Sequence, residues 1–245
     1  MTATTAVEDS MSSVSKALVI LEVMALSDGR AIGVSDLAMV TDMPKSTAHR
    51  LLKAMEQRGF VGRTGSKYRV GTRCLQLSSV ARWSEYGILL EHAAPAMEWL
   101  FERTGETVHL AVLDGPDALY LEKVNGRGGC RMRTKVGMRV AANTTAIGRV
   151  LQVCAAERGE PAQLGRQSWA AGLRATGALS CTDTVQPAFA GVAAPVSLVG
   201  SDRAVAALSL DGPVTRFKPD QHAGLVREAA ARLSRRLGPY LEGTA

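Results

Sequence analysis

The chain of 245 residues is 46% hydrophobic and 21% charged, with a formal net charge of +6, and its length suits two domains that each bury a core. No apolar run reaches the roughly 20 residues of a membrane helix, and residues 1–13 lack a signal peptide's apolar core, which together predict a cytoplasmic protein without membrane association. The four cysteines form no CxxC pair, so their spacing indicates reduced thiols rather than a disulfide framework or a zinc site.

The chain begins with a small, polar tail, residues 1–12, which we expect to be disordered because no periodic apolar pattern has begun. A helix is predicted over residues 14–27, ended by Asp28 and Gly29. Its expected apolar stripe comprises Val14, Ala17, Leu18, Leu21 and Met24. Ser35 is the expected cap of a second helix. The predicted core residues of that helix are Leu37, Ala38 and Val40.

A third helix is predicted to open at Pro44, a favourable first helical residue. Two rows of side chains then recur at helical spacing on different faces. The expected buried row is Ala48, Leu51, Leu52 and Met55, and the polar row is Ser46, His49, Arg50 and Lys53. A strand from Phe60, a turn at residues 64–66 and a returning strand at 67–70 predict a hairpin. In this order the elements predict a winged helix-turn-helix.

Positive charge is concentrated in the third helix and the hairpin. Residues 44–73 carry eight lysines and arginines against Glu56 alone, a net charge of +7, whereas residues 1–43 carry two cations against six acids, or −4. Cations that neutralise closely spaced phosphates release condensed counterions, so a local basic surplus favours binding to duplex DNA. The alternative is an ordinary helical hairpin with a solvated basic face, and the order of the elements favours DNA.

Two helices are predicted after the hairpin. Residues 71–83 place apolar residues among polar ones without a turn signal, which indicates a helix that links two domains. A second amphipathic helix is expected over residues 88–103, broken near Pro95. Its apolar residues suit either dimerisation or coverage of the next domain's sheet, and the sequence leaves both interpretations open.

From residue 106 the apolar period changes from helical to alternating, which predicts an α+β domain with a mainly antiparallel sheet. Strands are expected at 108–112, 119–124, 131–136, 192–199 and 204–211, the last two joined as a hairpin across residues 200–202. Helices are expected at 144–156 and 219–237. The inward residues of the last helix are predicted to be Val226, Ala229, Leu233 and Leu237. Residues 157–186 are rich in Gly, Ala and Arg and give no clear pattern.

An enzyme is the competing class of protein. The histidines have no HExxH-like spacing, and the chain has neither a GxSxG elbow nor a Walker loop. The glycines at 126–129 lie in a loop that opens no helix. We therefore expect no enzyme activity, no metal and no cofactor. A small-molecule-sensing module that acts through protein partners is the third class, and the cationic wing and helix disfavour it.

The motifs together resemble a known family. In order they are SVSKALVILEVMA, SDLA, PKSTAHRLLKAMEQRGFV, YRVG, ETVHLAVLDG, RMRTKVG, TTAIGR, AAPV and ALSLDGP. They resemble the IclR family of bacterial transcriptional regulators from about Ser13 to the C terminus. The resemblance implies a winged helix-turn-helix at 13–70, a linker helix at 71–90 and a GAF-like effector-binding domain at 91–243. It also implies homodimers or tetramers on palindromic operator DNA.

The resemblance also assigns candidate site residues by position. The implied DNA contacts are Lys45, Ser46, Thr47, Arg50, Arg63, Lys67 and Arg69. The implied effector site lies at the start of the helix after RMRTKVG and on two facing strands, and its N–H groups at the helix start suit an anion. These effector residues are Thr145, Ala146, Ile147, Gly191, Val192, Ser209 and Asp211.

This chain departs from the family pattern near the implied effector site. Gly191 stands where a cysteine or similar polar residue is common, Asp211 stands where serine or threonine is usual, and segment 157–186 is shorter than usual. A partly buried carboxylate needs a cation or donors to offset its desolvation, which suggests an effector with an ammonium group or several hydroxyls. The alternative is that Asp211 only begins the turn formed with Gly212 and Pro213.

Overall fold

The structure, a computed structural model, describes residues 11–27, 29–128, 131–157, 166–197 and 204–241. The chain divides into two compact units, Met1–Glu85 and Tyr86–Ala245. Most of the predicted tail and the turn at 200–202 lie outside the described residues. Within the described part of the chain, no helix combines the length and the apolar character needed to cross a membrane.

The first unit is a three-helix core followed by a hairpin. Its helices are α1 (Ser13–Leu26), α2 (Val34–Val40), α3 (Lys45–Gln57) and α4 (Thr72–Glu85), and its strands are β1 (Ile32–Gly33), β2 (Val61–Thr64) and β3 (Lys67–Val70). The strands form an antiparallel sheet in the order β1-β3-β2. This arrangement confirms the predicted winged helix-turn-helix. The short strand β1 was not predicted, because two residues carry no recognisable alternation.

Three details of the first two helices were predicted wrongly. The buried side of α1 is centred on Ile20 and Met24, while Val14 and Leu18 are 70% and 53% exposed, because both faces of this apolar helix offer residues at helical spacing. Ser35 lies inside α2, whose N-cap is Gly33. Val40 is exposed because it is the last residue of α2, after which the chain turns away from the core.

The second unit is an α+β domain, as predicted. Its helices are α5 (Gly87–Thr104), α6 (Ala146–Glu157), α7 (Arg166–Thr176) and α8 (Pro219–Leu241), with a 3-10 turn at Ala142–Thr144. Its strands are β4 (Thr107–Asp114), β5 (Asp117–Val124), β6 (Arg139–Ala141), β7 (Leu179–Thr182), β8 (Phe189–Ser197) and β9 (Ala204–Pro213). They form one sheet in the order β6-β5-β4-β9-β8-β7. Every described pair of neighbouring strands is antiparallel.

The two faces of this sheet are covered by different helices. One face packs against α5 and α8 through residues such as Leu110, Val192 and Leu208. The other face packs against α6 through smaller residues such as Ala111 and Ala193. The burial of α5 against the sheet assigns its apolar residues to the core of this unit. The helix continues through Pro95, contrary to the predicted break, because Pro95 and the preceding turn at Glu91 face solvent.

The segment 131–136 does not form a strand of the sheet, contrary to the prediction. Met132 and Thr134 are buried and alternate with exposed arginines. The carbonyl groups that a neighbouring strand would bind are instead taken by Lys123 Nζ, which donates to Met132 O at 3.0 Å and to Thr134 O at 2.7 Å. The alternation therefore shows that one side of the segment is buried. A strand has this pattern, and so does a segment that is held in place by the side chain of another residue.

Candidate functional site

The third helix, α3, separates an apolar face from a cationic one. Its buried residues are the four that the sequence predicts, Ala48, Leu51, Leu52 and Met55. Pro44 is the N-cap rather than the first helical residue. The opposite face is exposed and offers Ser46, His49, Arg50 and Lys53 to solvent, with Thr47 partly buried beside it. This face presents donors and cations on a rigid helix.

The wing continues the cationic surface. The register pairs Thr64 with Lys67, which leaves a two-residue turn in which Gly65 has φ +61°; glycine takes this left-handed conformation without strain. Tyr68 is buried, and its neighbours on the strand, Lys67 and Arg69, are exposed. Alternation along β3 therefore anchors the wing through tyrosine and turns two cations outward.

Three contacts fix the wing and one of its arginines. Arg63 Nε donates to Gly65 O at 2.9 Å, and its guanidinium lies 5.9 Å from the centre of the Tyr68 ring. The N–H of Gly71 donates to Phe60 O at 2.8 Å. A Cβ at Gly71 would overlap with Gly59 O, so glycine is required where the end of β3 approaches the chain that leaves α3.

A second group of polar residues lies on the α6 side of the larger sheet. Register partners share a face of a sheet, and one row across the strands consists of Cys181, Gly191, Asp211 and Thr107. The adjacent row on the same face consists of Ala193, Ser209, His109 and Lys123. Polar side chains from four strands thus meet on a face that also carries small residues such as Gly191 and Ala193.

Hydrogen bonds join these residues into a buried network. His109 Nδ1 lies 2.9 Å from Asp211 Oδ2, and Ser209 Oγ donates to the same oxygen at 2.6 Å. Because a carboxylate only accepts, Nδ1 carries the hydrogen of this contact. His109 Nε2 lies 2.8 Å from Thr134 Oγ1, and the ring packs edge-on against Tyr120 with 4.9 Å between centroids.

The start of α6 approaches this network closely. Thr145 caps the helix, since its hydroxyl accepts from the N–H of Gly148 at 3.2 Å, and its side chain opposes the rise in the pKa of Tyr120. A Cβ at Gly148 would overlap with Ala142 O. On the sheet, a Cβ at Gly191 would overlap with Asp211 Oδ1 and lie 3.6 Å from the methyl of Ala146. Glycines therefore permit the close approach of helix, turn and carboxylate.

Burial changes the titration of three groups around the network. It raises the pKa of Tyr120, with the charge of Asp211 acting in the same direction. It raises the pKa of Cys181 to about 11 against the opposing effect of Arg149. Burial lowers the pKa of Lys123, which Asp211 partly restores. The phenol and the thiol therefore stay neutral near pH 7. Among the described residues, no group of three or more His, Cys, Asp or Glu side chains is placed to hold a metal.

The predicted effector residues fall into two groups. Thr145, Ala146, Gly191, Ser209 and Asp211 lie together around the network. Val192 points into the opposite core with α5 and α8, because neighbouring residues of a strand face opposite sides. Ile147 is enclosed in the α6 core.

The side chain of Asp183 lies near the network but forms a local turn, in which its Oδ1 accepts from the N–H groups of Val185 and Gln186.

Sequence reasoning missed three members of the network. His109, Tyr120 and Thr134 contribute to it as directly as the predicted residues. A signal for His109 was available, because it lies between Val108 and Leu110 on a strand whose apolar face was predicted. Its side chain must therefore reach the other face. Alternation indicated that Thr134 is buried, but nothing in the sequence indicated its contact with His109, since its segment lies outside the sheet.

Comparison with known proteins assigns both units. The IclR helix-turn-helix domain matches residues 13–65, and the bacterial transcriptional regulator IclR C-terminal domain matches residues 86–178. The chain is 36% identical over 145 residues to the HTH-type transcriptional regulator KdgR of Escherichia coli, covering 58% of this chain and 54% of KdgR. It is 31% identical over 144 residues to XynR of the same organism, covering 57% and 55%. The matches therefore span about half the length of these curated relatives.

A solved structure matches over nearly the whole chain. An IclR homologue from Microbacterium hydrocarbonoxydans, crystallised with 4-hydroxybenzoate, has 25% identity and a TM-score of 0.73, and the match covers 92% of this chain and 99% of that one. Both units thus match in sequence, in their order along the chain and in fold. The chain belongs to the IclR family of bacterial transcriptional regulators.

Proposed function

We propose that the protein is a sequence-specific, DNA-binding transcriptional regulator whose operator affinity changes when a small molecule binds in the second unit. The observation that carries this proposal is the exposed face of α3. Ser46, Arg50 and Lys53 lie on this face, opposite the apolar residues of the helix, which are all buried in the core. A helix with donors and cations on one face suits the major groove.

The wing supplies the second DNA contact of the proposal. Lys67 and Arg69 alternate with the buried Tyr68, and Arg63 is tied to the turn. We assign phosphate contacts to these cations and to Lys45, because phosphate contacts fix register without reading sequence. Base contacts are assigned to Ser46 and Arg50, near the beginning of the helix, with Thr47 packed beside them.

A symmetric pair of chains on a palindromic operator completes the DNA-binding proposal. Apolar residues are exposed on α1, with Val14 and Leu18, and on α4, with Leu75 and Val80 at 71% and 68% exposure. Helix surfaces of this kind favour burial against a second copy. Two copies would present two α3 helices to two half-sites. The proposal leaves both a dimer and a tetramer of such dimers open.

The effector site is assigned to the network around Asp211 at the start of α6. The Microbacterium homologue of the same fold is complexed with the small molecule 4-hydroxybenzoate, which supports the binding of a small molecule by this protein. A ligand changes DNA affinity only through a difference in its affinity for two arrangements of the protein. In this proposal, α4 transmits that difference to the winged unit.

DNA binding is tested by selecting sequences from random duplexes with the full chain and measuring affinity by fluorescence anisotropy at two salt concentrations. We expect a palindromic consensus, weaker binding at higher salt, and an affinity at least about fivefold lower for Arg50→Ala, since a base contact contributes about 1–3 kcal/mol. Arg235→Ala is the matched control, because this exposed arginine lies on α8. Equal loss in both variants, or no enriched sequence, would overturn the proposal.

A further inference from the structure

We infer that the site over Gly191 recognises its ligand through a hydroxyl group, which donates a hydrogen bond to Asp211 Oδ1. The effector would accordingly be a hydroxylated compound rather than an amine or a simple carboxylate. This inference rests on the proposed effector function and specifies the chemistry of that site.

The two carboxylate oxygens of Asp211 differ in the hydrogen bonds that they accept. Oδ2 accepts from Ser209 and from His109, whereas Oδ1 has no donor among the described residues. The residue is only 8% exposed, yet Oδ1 is not among the described polar atoms that are fully enclosed without a partner. A nearly buried carboxylate oxygen with remaining access is a strong acceptor that a ligand can satisfy.

The protein holds Oδ1 of Asp211 in a fixed position. The Ser209 and His109 contacts orient the carboxylate, and His109 is itself fixed by Thr134 and Tyr120. Oδ1 lies over Gly191, where a side chain would collide with it. Because both the carboxylate and its surroundings are set before a ligand arrives, little ordering accompanies the new hydrogen bond.

A third feature is the charge around the oxygen. The charges of Asp211 and Asp183 act on groups in this site, as do those of Arg149 and Arg131, and Lys123 is a third cation. Three positive charges stand against two negative ones. An ammonium group would add a fourth cation beside Lys123, and a carboxylate would place a like charge against Asp211. A hydroxyl donates the required hydrogen and adds no charge.

The test uses matched compounds that differ in one group on one carbon skeleton. The probes are butan-1-ol, butylamine and butanoate, and benzyl alcohol, benzylamine and benzoate, titrated by calorimetry into the full chain without DNA. We expect an alcohol to bind at least about tenfold more tightly than its carboxylate partner, the ratio that follows from one hydrogen bond to a charged group. It should also bind more tightly than its amine partner, because the ammonium group adds a positive charge to a site that already holds several cations.

Three variants assign the effect to the oxygen. Asp211→Asn should weaken alcohol binding about tenfold or more, while Asp220→Asn, the same change on the exposed start of α8, should leave it unchanged. Gly191→Ala keeps the carboxylate but places a methyl group where Oδ1 lies, and it should also weaken binding. If Asp211→Asn does not fold, Gly191→Ala tests the inference in its place.

Preference for an amine or carboxylate, alcohol binding that neither Asp211→Asn nor Gly191→Ala weakens, or no alcohol binding at all would overturn the inference. Operator binding is measured separately by anisotropy. A protein that binds its operator but prefers an amine would therefore keep the proposed function and lose this inference.

Discussion

Arg216 and Glu106 form an ion pair in which Nη1 and Nη2 of the guanidinium donate to the two carboxylate oxygens. The Glu106 side chain is only 8% exposed, while that of Arg216 is 50% exposed. The pair joins the residue before β4 to the turn between β9 and α8. A buried carboxylate thus depends on one half-exposed partner for its charge compensation.

Replacing Arg216 with alanine should destabilise the second unit by about 2 kcal/mol, because Glu106 would remain buried without a counter-charge. The measurement is a urea titration followed by fluorescence of Trp99 and Trp169, which both lie in this unit. Arg174→Ala is the control. Its pair with Glu157 is exposed on both sides, at 68% and 43%, so its loss should change stability by less than about 0.5 kcal/mol. Equal effects of the two variants would contradict this reasoning.

Gly71→Ala should destabilise the winged unit by about 3 kcal/mol, since its new Cβ would overlap with backbone atoms of Gly59 and Phe60 that cannot move independently. Hydrogen exchange of peptides from α3 should accelerate about a hundredfold, which corresponds to that loss of free energy. Gly62→Ala is the control within the same sheet, because its Cβ would make only an ordinary contact, 3.7 Å from Arg69 Nε. Unchanged exchange in Gly71→Ala would show that the close approach is not required.

The two candidate sites were predictable from sequence to different degrees. In α3 the buried and exposed faces follow from helical spacing within 13 residues, and all four buried residues were predicted. The contact between His109 and Asp211 joins residues 102 positions apart, and it depends on which strands become neighbours and in what register. Alternation along one strand does not contain that information.

Where sequence patterns were ambiguous, long-range contacts decided the structure. Helix α1 is apolar on more than one face, so periodicity alone did not select Ile20 over Leu18. The alternation at 131–136 predicted a strand, whereas Lys123 holds that segment by its carbonyl groups. Family resemblance indicated Gly191 and Asp211 as site residues. It did not indicate His109, whose ring contacts both Asp211 and Thr134.

Leu18→Gln should weaken self-association, because the exposed side chain would lie in the proposed contact between two α1 helices. Burial of one leucine contributes about 1.5–3 kcal/mol, and in a symmetric contact the change occurs twice. The dissociation constant from sedimentation equilibrium should therefore rise at least tenfold. Met39→Gln on α2 is the control, since Met39 is 77% exposed and lies outside the proposed contact. A chain whose association is insensitive to Leu18→Gln would not dimerise through this face.

Alkylation of Cys181 should report its raised pKa directly. Burial raises this pKa from 9.0 to about 11, so near pH 8 the thiolate fraction should be about a hundredfold lower in the folded protein than in the unfolded chain. The rate of labelling by iodoacetamide, followed at Cys181 by peptide mass spectrometry, should rise about tenfold per pH unit up to about pH 11. In concentrated urea the same rate should level off near pH 9.

The same shift fixes the sign of a contribution to stability. Between pH 9 and 11 the unfolded chain loses the Cys181 proton while the folded protein keeps it. The contribution from this neutral thiol is therefore fully present below pH 9 and is lost as the pH rises to about 11. Cys181→Ser, whose hydroxyl does not ionise in this range, should lose less stability over this window than the parent protein. A folded-state labelling rate that levels off near pH 9 would show that the thiol ionises as readily as an exposed one.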